Sequence, residues 1–184
     1  MLEEFTRIPV DVDLASEFRY SGAMLDRDTT VIAITQSGET ADTLAGVRLA
    51  RERGAKILSI CNVVGASIPR ESDAVIYTHA GPEIAVASTK AYTSQLTVLS
   101  LLTLYLAQAR ALGSASQRHA LAKELGRLPG LVKRAMKTET AVKQAARRYA
   151  DRRNFYYLGR RYNYPSALEG ALKLKEICPL IHAE

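Results

Sequence analysis

Hydroxyl and amide side chains gather around one glycine in residues 35–40, directly after an apolar run over residues 30–34. The side chains that could donate hydrogen bonds there are Thr35, Gln36, Ser37 and Thr40. Gly38 permits a tight turn, and the N–H groups at the start of a following helix attract anions. Because this segment contains no lysine or arginine, it favours a small sugar phosphate over a nucleoside triphosphate. The pattern is also typical of a plain helix cap at Ser37, and Glu39 in the same pocket would repel an anion.

Three charged residues near the carboxyl terminus, Glu169, Lys173 and Glu176, are spaced by four and then three positions. In a helix this spacing places all three on one face. An ammonium between two carboxylates could move a proton between adjacent carbons, as aldose–ketose isomerisation requires. The same spacing is common in ion pairs on exposed helices, so the pattern alone leaves both interpretations open.

Residues 81–90 form a third unusual segment, rich in small residues, between a predicted strand and a predicted helix. Ser88 is a plausible cap for that helix. Thr89 and Lys90 could face either a ligand or solvent, and the residue types do not decide between these alternatives.

Composition narrows the classes of function. The chain has 184 residues, 47% of them hydrophobic, and its two cysteines match no disulfide or metal framework. We expect no cofactor or metal, and a reducing, cytoplasmic location. Residues 118–153 hold eleven basic and three acidic residues, but no nucleic-acid-reading motif accompanies them, so a solvated helix face is expected. The longest apolar run, over residues 96–107, is too short to span a membrane.

The elements that must position these residues follow a strand–helix rhythm. Continuous apolar runs predict strands over residues 30–35, 56–60 and 74–78, with a helix over 40–53. The alternation of Val10, Val12 and Leu14 with polar or small residues predicts an additional strand. Together they predict an α/β fold with a doubly wound, mostly parallel sheet flanked by helices.

Long helices dominate the second half of the chain. Apolar stripes predict helices over residues 88–112, 116–128 and 129–150, the last of them starting at Pro129. A strand over residues 155–158 and a helix from about Pro165 then indicate the start of a second α/β unit.

Several of these segments, taken together, resemble one known family. The segments are residues 35–43, 80–91, 158–160, 164–165 and 167–176. In order and spacing they are similar to the isomerase region of the glutamine–fructose-6-phosphate aminotransferases, the glucosamine-6-phosphate synthases. The resemblance implies the sugar-isomerase (SIS) fold, a hexose 6-phosphate ligand and a homodimer. It also implies that a separate glutaminase domain, absent from this chain, supplies ammonia.

The resemblance also implies roles for individual residues. Thr35, Gln36, Ser37 and Thr40 match phosphate-binding positions, whereas Val86 and Ser88 match positions beside the sugar. Glu176 matches the base that carries a proton between carbons. Lys173 matches a lysine next to the sugar hydroxyls, and Glu169 matches a supporting carboxylate.

The chain departs from the family pattern in several places. An upstream Gly-Thr-Ser phosphate loop, a ring-opening histidine and a Schiff-base lysine are not in it, so residues 1–150 are expected to form a first SIS domain without its first strand. Residues 151–184 would be the opening strand and helix of a truncated second domain. Pro179, in Cys178-Pro179-Leu180, should end the helix just after Glu176, and Arg161 stands where glycine is frequent. A non-catalytic sugar-phosphate sensor and a fructosamine-phosphate deglycase remain alternatives.

Overall fold

The computed structural model describes residues 1–84, 87–178 and 182–183. Its strands are β1 (Thr30–Ile34), β2 (Lys56–Cys61), β3 (Ala74–Tyr77), β4 (Asn154–Phe155) and β5 (His182–Ala183). Its helices are α1 (Leu2–Thr6), α2 (Ala15–Phe18), α3 (Ala41–Glu52), α4 (Ser67–Arg70), α5 (Lys90–Ala109), α6 (Ala115–Gly126), α7 (Leu128–Met136), α8 (Glu139–Arg148) and α9 (Asn163–Ile177).

A parallel three-stranded sheet in the order β1-β2-β3 forms the centre of the first half of the chain. Ile32 pairs with Leu58, and Ile60 pairs with Ile76, so the carboxyl ends of the strands lie at one edge. The predicted strands over residues 30–35, 56–60 and 74–78 are confirmed, as is the helix over 40–53. Parallel strands require crossover connections, and α3 supplies the one between β1 and β2.

The hydrophobic core lies where α3 and α4 cover one face of this sheet. Its buried members are Ala33, Val47, Ala50, Ala55, Ile57 and Ile68, with Phe18, Leu25, Val31 and Leu44 packed against them. Alternate residues of β1 and β2 face α3 because side chains alternate across a strand. The loops that leave the carboxyl ends of β1 and β2 are therefore attached to a packed base.

The strand predicted around Val10, Val12 and Leu14 is wrong. Residues 7–14 have no regular structure, and the side chains of Val12 and Leu14 are 93% and 72% exposed. Alternation favours an extended path, but a strand also needs a hydrogen-bonding neighbour. In the described part of the chain β1 pairs only with β2, so residues 7–14 have no strand beside them.

The long helices of the second half are confirmed with two corrections. α5 begins at Lys90, two residues after the predicted start at Ser88. The helix predicted over residues 129–150 is two helices, because the chain turns at Lys137 and Thr138 between α7 and α8. α6 begins with a capping box in which Ser114 and Gln117 bond reciprocally, which explains its sharp start.

The second α/β segment is smaller than predicted. Of residues 155–158 only Phe155 lies in a strand, because β4 is limited to the two residues that pair with β5. α9 follows, and it packs closely on Tyr157: a Cβ added at Gly170 would lie 2.7 Å from the Tyr157 ring. The sheet flanked by helices confirms the predicted α/β class. No helix in the described ranges is both long and apolar enough to cross a bilayer.

Candidate functional site

The loop over residues 35–40 leaves β1 at the carboxyl edge of the sheet. The backbone N–H of Thr35 donates to the Ile60 carbonyl at 2.9 Å, which extends the ladder by one residue. The Thr35 Oγ1 atom then accepts from the Gly38 N–H at 3.1 Å, and the Ser37 Oγ atom accepts from the Glu39 N–H at 3.2 Å. Side-chain oxygens thus close the turn and leave both hydroxyl protons available for a ligand.

Gly38 is required at the centre of this loop. Its φ of 72° lies in the left-handed region, and its position is enclosed by neighbouring side chains. A Cβ there would lie 2.6 Å from the Ala66 Cβ and 2.9 Å from the Cys61 Sγ. The loop therefore packs directly on the end of β2 and the segment that follows it.

The carboxylate of Glu39 is hydrogen-bonded to the start of α4. Its Oε1 atom accepts a hydrogen bond from the Ser67 backbone N–H at 2.7 Å, at the start of α4. Hydrogen bonding by Ser67, through its side chain and its backbone, lowers the pKa of Glu39 below its usual value. Glu39 therefore keeps its negative charge, and that charge is stabilised at the N-terminus of α4.

Several backbone donors of the loop and of the first turn of α3 have no protein acceptor among the described residues. These N–H groups belong to Gln36, Ser37, Thr40, Ala41 and Asp42. The N-cap of α3 is Thr40 rather than Ser37, and its side chain makes no cap bond, so the alternative of a plain cap at Ser37 is wrong. Asp42 faces Arg19, with 4.0 Å between the Arg19 Nη1 and Asp42 Oδ1 atoms. Converging N–H groups at a helix start suit an oxyanion.

Ser88 lies beside Glu83 at the entrance to α5. The Glu83 Oε2 atom accepts from the Ala91 backbone N–H at 3.2 Å and from the Ser88 Oγ at 3.5 Å. Glu83 therefore caps α5, and the expectation that Ser88 does so is wrong, because the N-cap position belongs to Thr89. Val86, the other sugar-side residue expected here, lies outside the described residues.

On α9 the structure brings Glu169, Lys173 and Glu176 together. The Lys173 Nζ atom lies 2.6 Å from the Glu176 Oε2 and 3.4 Å from the Glu169 Oε1. The lysine side chain is 19% exposed. The hydrogen bond to Glu176, assisted by the charges of both carboxylates, raises the pKa of Lys173 above its usual value. The trio is therefore a charged group held in one place, with the ammonium in the middle.

Glu176 lies in the last turn of α9, which ends at Ile177 as expected; Pro179 itself lies outside the described residues. The carbonyl end of a helix carries partial negative charge, which disfavours a carboxylate. Lys173 offsets this cost by its short contact with Glu176.

The turn before α9 contains the Arg161 departure noted in the sequence. Arg161 has a φ of 55°, the left-handed region that glycine adopts more easily. Its Nη2 atom lies 3.6 Å from the Glu4 Oε1, and the Tyr162 hydroxyl donates to the other oxygen of Glu4. These contacts to α1 hold the turn in its strained conformation.

The structure joins two of the three candidate segments. Asn62, which sequence reasoning missed, bonds to the loop over residues 35–40 and to Ala80 and Gly81. An asparagine directly after a buried strand is the available signal for such a role. Among the described residues no hydrogen bond or ion pair links the α9 trio to either loop.

Comparisons with known proteins agree with this architecture. The model of the SIS domain family matches residues 1–105. The glutamine–fructose-6-phosphate aminotransferase (isomerizing) of Chlorobaculum tepidum is 53% identical over 184 residues. The enzyme of the same name from Streptomyces coelicolor is 52% identical over 183 residues. Each match covers 100% of this chain and 30% of the relative, so the chain spans about a third of the length of these curated relatives.

Solved structures share the fold. The C-terminal domain of glucosamine-fructose-6-phosphate aminotransferase from Francisella tularensis matches with a TM-score of 0.95 and 41% identity. That match covers 100% of this chain and 52% of the other. Tagatose-6-phosphate ketose/aldose isomerase from Escherichia coli has a TM-score of 0.68 at 18% identity, over 99% of this chain and 49% of that one, which indicates the fold alone.

Proposed function

This chain belongs to the SIS domain family, and from that premise we propose that it is the phosphate-binding and isomerising part of a glutamine–fructose-6-phosphate aminotransferase. Its ligand would be fructose 6-phosphate or glucosamine 6-phosphate. The relatives that suggest this activity are about three times as long as the chain, so the glutaminase function and the Schiff-base lysine would lie in parts that it does not include.

The observation that carries the proposal is the loop over residues 35–40. Unpaired N–H groups and the hydroxyls of Ser37 and Thr40 gather at the start of α3, and Glu39 is bonded elsewhere. Neutral donors at a helix start bind a phosphate dianion without an arginine. The buried Thr35 would take part through its hydroxyl proton and Gln36 through its side-chain amide. Val86 and Ser88 would lie beside the sugar.

The chemistry proposed for α9 is proton transfer between adjacent carbons. Glu176 would remove a proton from one carbon of the open-chain sugar and return it to the neighbouring carbon. Lys173 would stabilise the negative charge that develops on the enediolate oxygen. Glu169 would hold Lys173 in position, because the lysine contacts both carboxylates.

We extend the proposal to the organisation of the protein. Residues 1–150 would form a first SIS domain, and residues 151–184 would belong to a second. We also expect a homodimer in the cytoplasm. Light scattering after size-exclusion chromatography would give the oligomeric state. A monomer at micromolar concentration would contradict the expected homodimer.

A calorimetric titration tests ligand binding directly. We expect the 184-residue chain to bind fructose 6-phosphate, and Thr40→Val to weaken binding about fivefold because one donor is lost. Thr138→Val is the matched control, since Thr138 is the N-cap residue of α8, and it should change affinity less than about twofold. A chain that binds no hexose phosphate, or equal effects of the two variants, would overturn the proposal.

The proposed base requires a separate experiment in a full-length aminotransferase that carries this segment. Glu176→Gln should lower kcat for isomerisation at least about 100-fold and change the affinity for fructose 6-phosphate little. If turnover survives in that variant, Glu176 is not the base. If full-length protein binds the sugar but never turns it over, the chain is a binding module such as a sensor.

A further inference from the structure

Asn62 makes three side-chain hydrogen bonds to the segment that follows β3. Its Oδ1 atom accepts from the Thr78 hydroxyl at 3.0 Å and from the Ala80 N–H at 2.8 Å. Its Nδ2 group donates to the Gly81 carbonyl at 2.8 Å. Accepting at one atom and donating at the other is what a carboxamide of this length can do, whereas a carboxylate, which only accepts, could not satisfy the whole set.

The same residue also orients the loop over residues 35–40. The Asn62 backbone N–H donates to the Gln36 carbonyl at 3.2 Å. A trans peptide group is planar, so the N–H of Ser37 points opposite to that carbonyl and therefore away from Asn62. This bond fixes the direction of one of the unpaired donors at the proposed phosphate site, and it involves only the backbone of Asn62.

The segment that Asn62 holds adopts an unfavourable path. His79 and Gly81 have φ values of 50° and 75°, on either side of Ala80. A residue other than glycine is strained in this region, so such a path persists when surrounding bonds determine it. Two residues further on, Glu83 contacts Ser88 and caps α5.

We infer that Asn62 is a positioning residue that sets the Ser88-bearing segment relative to the phosphate loop, so that one hexose 6-phosphate contacts both. The inference rests on the proposed function, which it deepens by assigning recognition of the sugar to a residue that need not touch it. The backbone of Asn62 orients the loop proposed to bind the phosphate, and its side chain positions the segment proposed to contact the sugar.

Two ligands separate these roles. Calorimetry on the 184-residue chain would compare fructose 6-phosphate with inorganic phosphate, for the native sequence and for Asn62→Ala. We expect Asn62→Ala to weaken fructose 6-phosphate about tenfold and inorganic phosphate less than about twofold, because the backbone N–H remains. Asn163→Ala is the control, since Asn163 is an exposed residue of α9 whose side chain makes no hydrogen bond within the described ranges.

A second variant covers the case in which Asn62→Ala does not fold. Thr78→Val removes one of the three bonds while keeping the shape of the side chain, and should weaken fructose 6-phosphate alone by about threefold. Equal losses for both ligands in a folded variant, or no loss for either, would overturn the inference while the proposed function stands. Failure of the native chain to bind either ligand would overturn the proposed function, and the inference with it.

Discussion

The Oε1 atom of Glu39 accepts a hydrogen bond from the backbone N–H of Ser67 at 2.7 Å, so one carboxylate joins the loop after β1 to the start of α4. Beside it the Ile68 N–H donates to the Gly38 carbonyl at 2.9 Å. Two adjacent residues of the loop are thus bonded to two adjacent residues of α4. A glutamate that looks unfavourable for anion binding in the sequence instead holds the loop in place.

Replacing Glu39 by glutamine should change the dependence of stability on acid. The pKa of Glu39 is lowered in the folded chain, so its contribution is present above the ordinary value of 4.5 and is lost as the pH falls through the folded value. Glu39→Gln should therefore lose less stability than the native chain as the pH falls from 5 towards 3. Urea unfolding of both proteins between pH 5 and pH 3 would measure the free energy of unfolding.

Glu52→Gln is the control for that experiment, because Glu52 is exposed at the end of α3 and makes no side-chain hydrogen bond among the described residues. If the free energy of unfolding falls with pH equally in Glu39→Gln and the native chain, the bond to Ser67 contributes nothing to stability.

Gly38→Ala should be strongly destabilising, by about 3 kcal/mol. It adds the strain of a left-handed φ to a close contact of the new Cβ with Ala66. Gly65→Ala separates the two causes: Gly65 also has a left-handed φ, of 78°, but nothing lies within 4 Å of an added Cβ. It should cost about 1 kcal/mol in the free energy of unfolding. Similar values for both variants would mean that packing around Gly38 is unimportant.

Lys173→Met should alter stability in alkali. The folded pKa of Lys173 is raised, so its contribution is complete below the ordinary value of 10.5 and is lost as the pH rises through the folded value. The variant should be less stable at pH 7, where two carboxylates then face each other, and should change less between pH 9 and 12. Thermal unfolding at several pH values measures both effects.

Lys143→Met is the matched control, because Lys143 pairs with Glu139 at the same i,i+4 spacing as Lys173 with Glu169 but with a side chain 66% exposed. Exposed ion pairs contribute little to stability, so the melting temperature of Lys143→Met should vary with pH as that of the native chain does. If the melting temperature of Lys173→Met also varies with pH as that of the native chain does, the trio on α9 contributes no more to stability than exposed ion pairs do.

Arg161→Gly should keep or raise stability, by up to about 1 kcal/mol. Glycine relieves the left-handed φ of 55°, although it adds freedom to the unfolded chain and removes an exposed ion pair with Glu4. Arg160→Gly, one residue earlier and without a left-handed φ, should instead destabilise. Calorimetric melting temperatures would decide, and a clear loss for Arg161→Gly would show that the contacts to α1 outweigh the strain.

Much of the fold was predictable because its signals are local. Apolar runs gave β1, β2 and β3, and spacing on one helix gave the contact of Lys173 with both carboxylates. The turn between α7 and α8 also had a local signal, since Thr138 followed by Glu139 is a typical helix start. That signal was outweighed by a continuous apolar stripe.

Contacts between distant parts of the chain are a second kind of feature, which the sequence did not reveal. The bond of Glu39 to Ser67 spans 28 positions, and those of Asn62 to the segment after β3 span 16 to 19. No periodicity encodes such pairs, because they depend on which loops meet at the edge of the sheet. The strand expected at Val12 failed for the same reason, since pairing requires a neighbour that alternation cannot specify.

The close contact between Gly170 and Tyr157 has a consequence for the direction in which the three charged groups on α9 point. Their mutual contacts lie within one helix and would survive a roll of that helix about its long axis. The residue of α9 that contacts the Tyr157 ring is Gly170, which has no side chain and lies one position from Glu169. A methyl group added at Gly170 would lie 2.7 Å from the Tyr157 ring, so either the ring or α9 would have to shift while the trio stays intact. A residue without a side chain thus restrains the direction in which the three charged groups face.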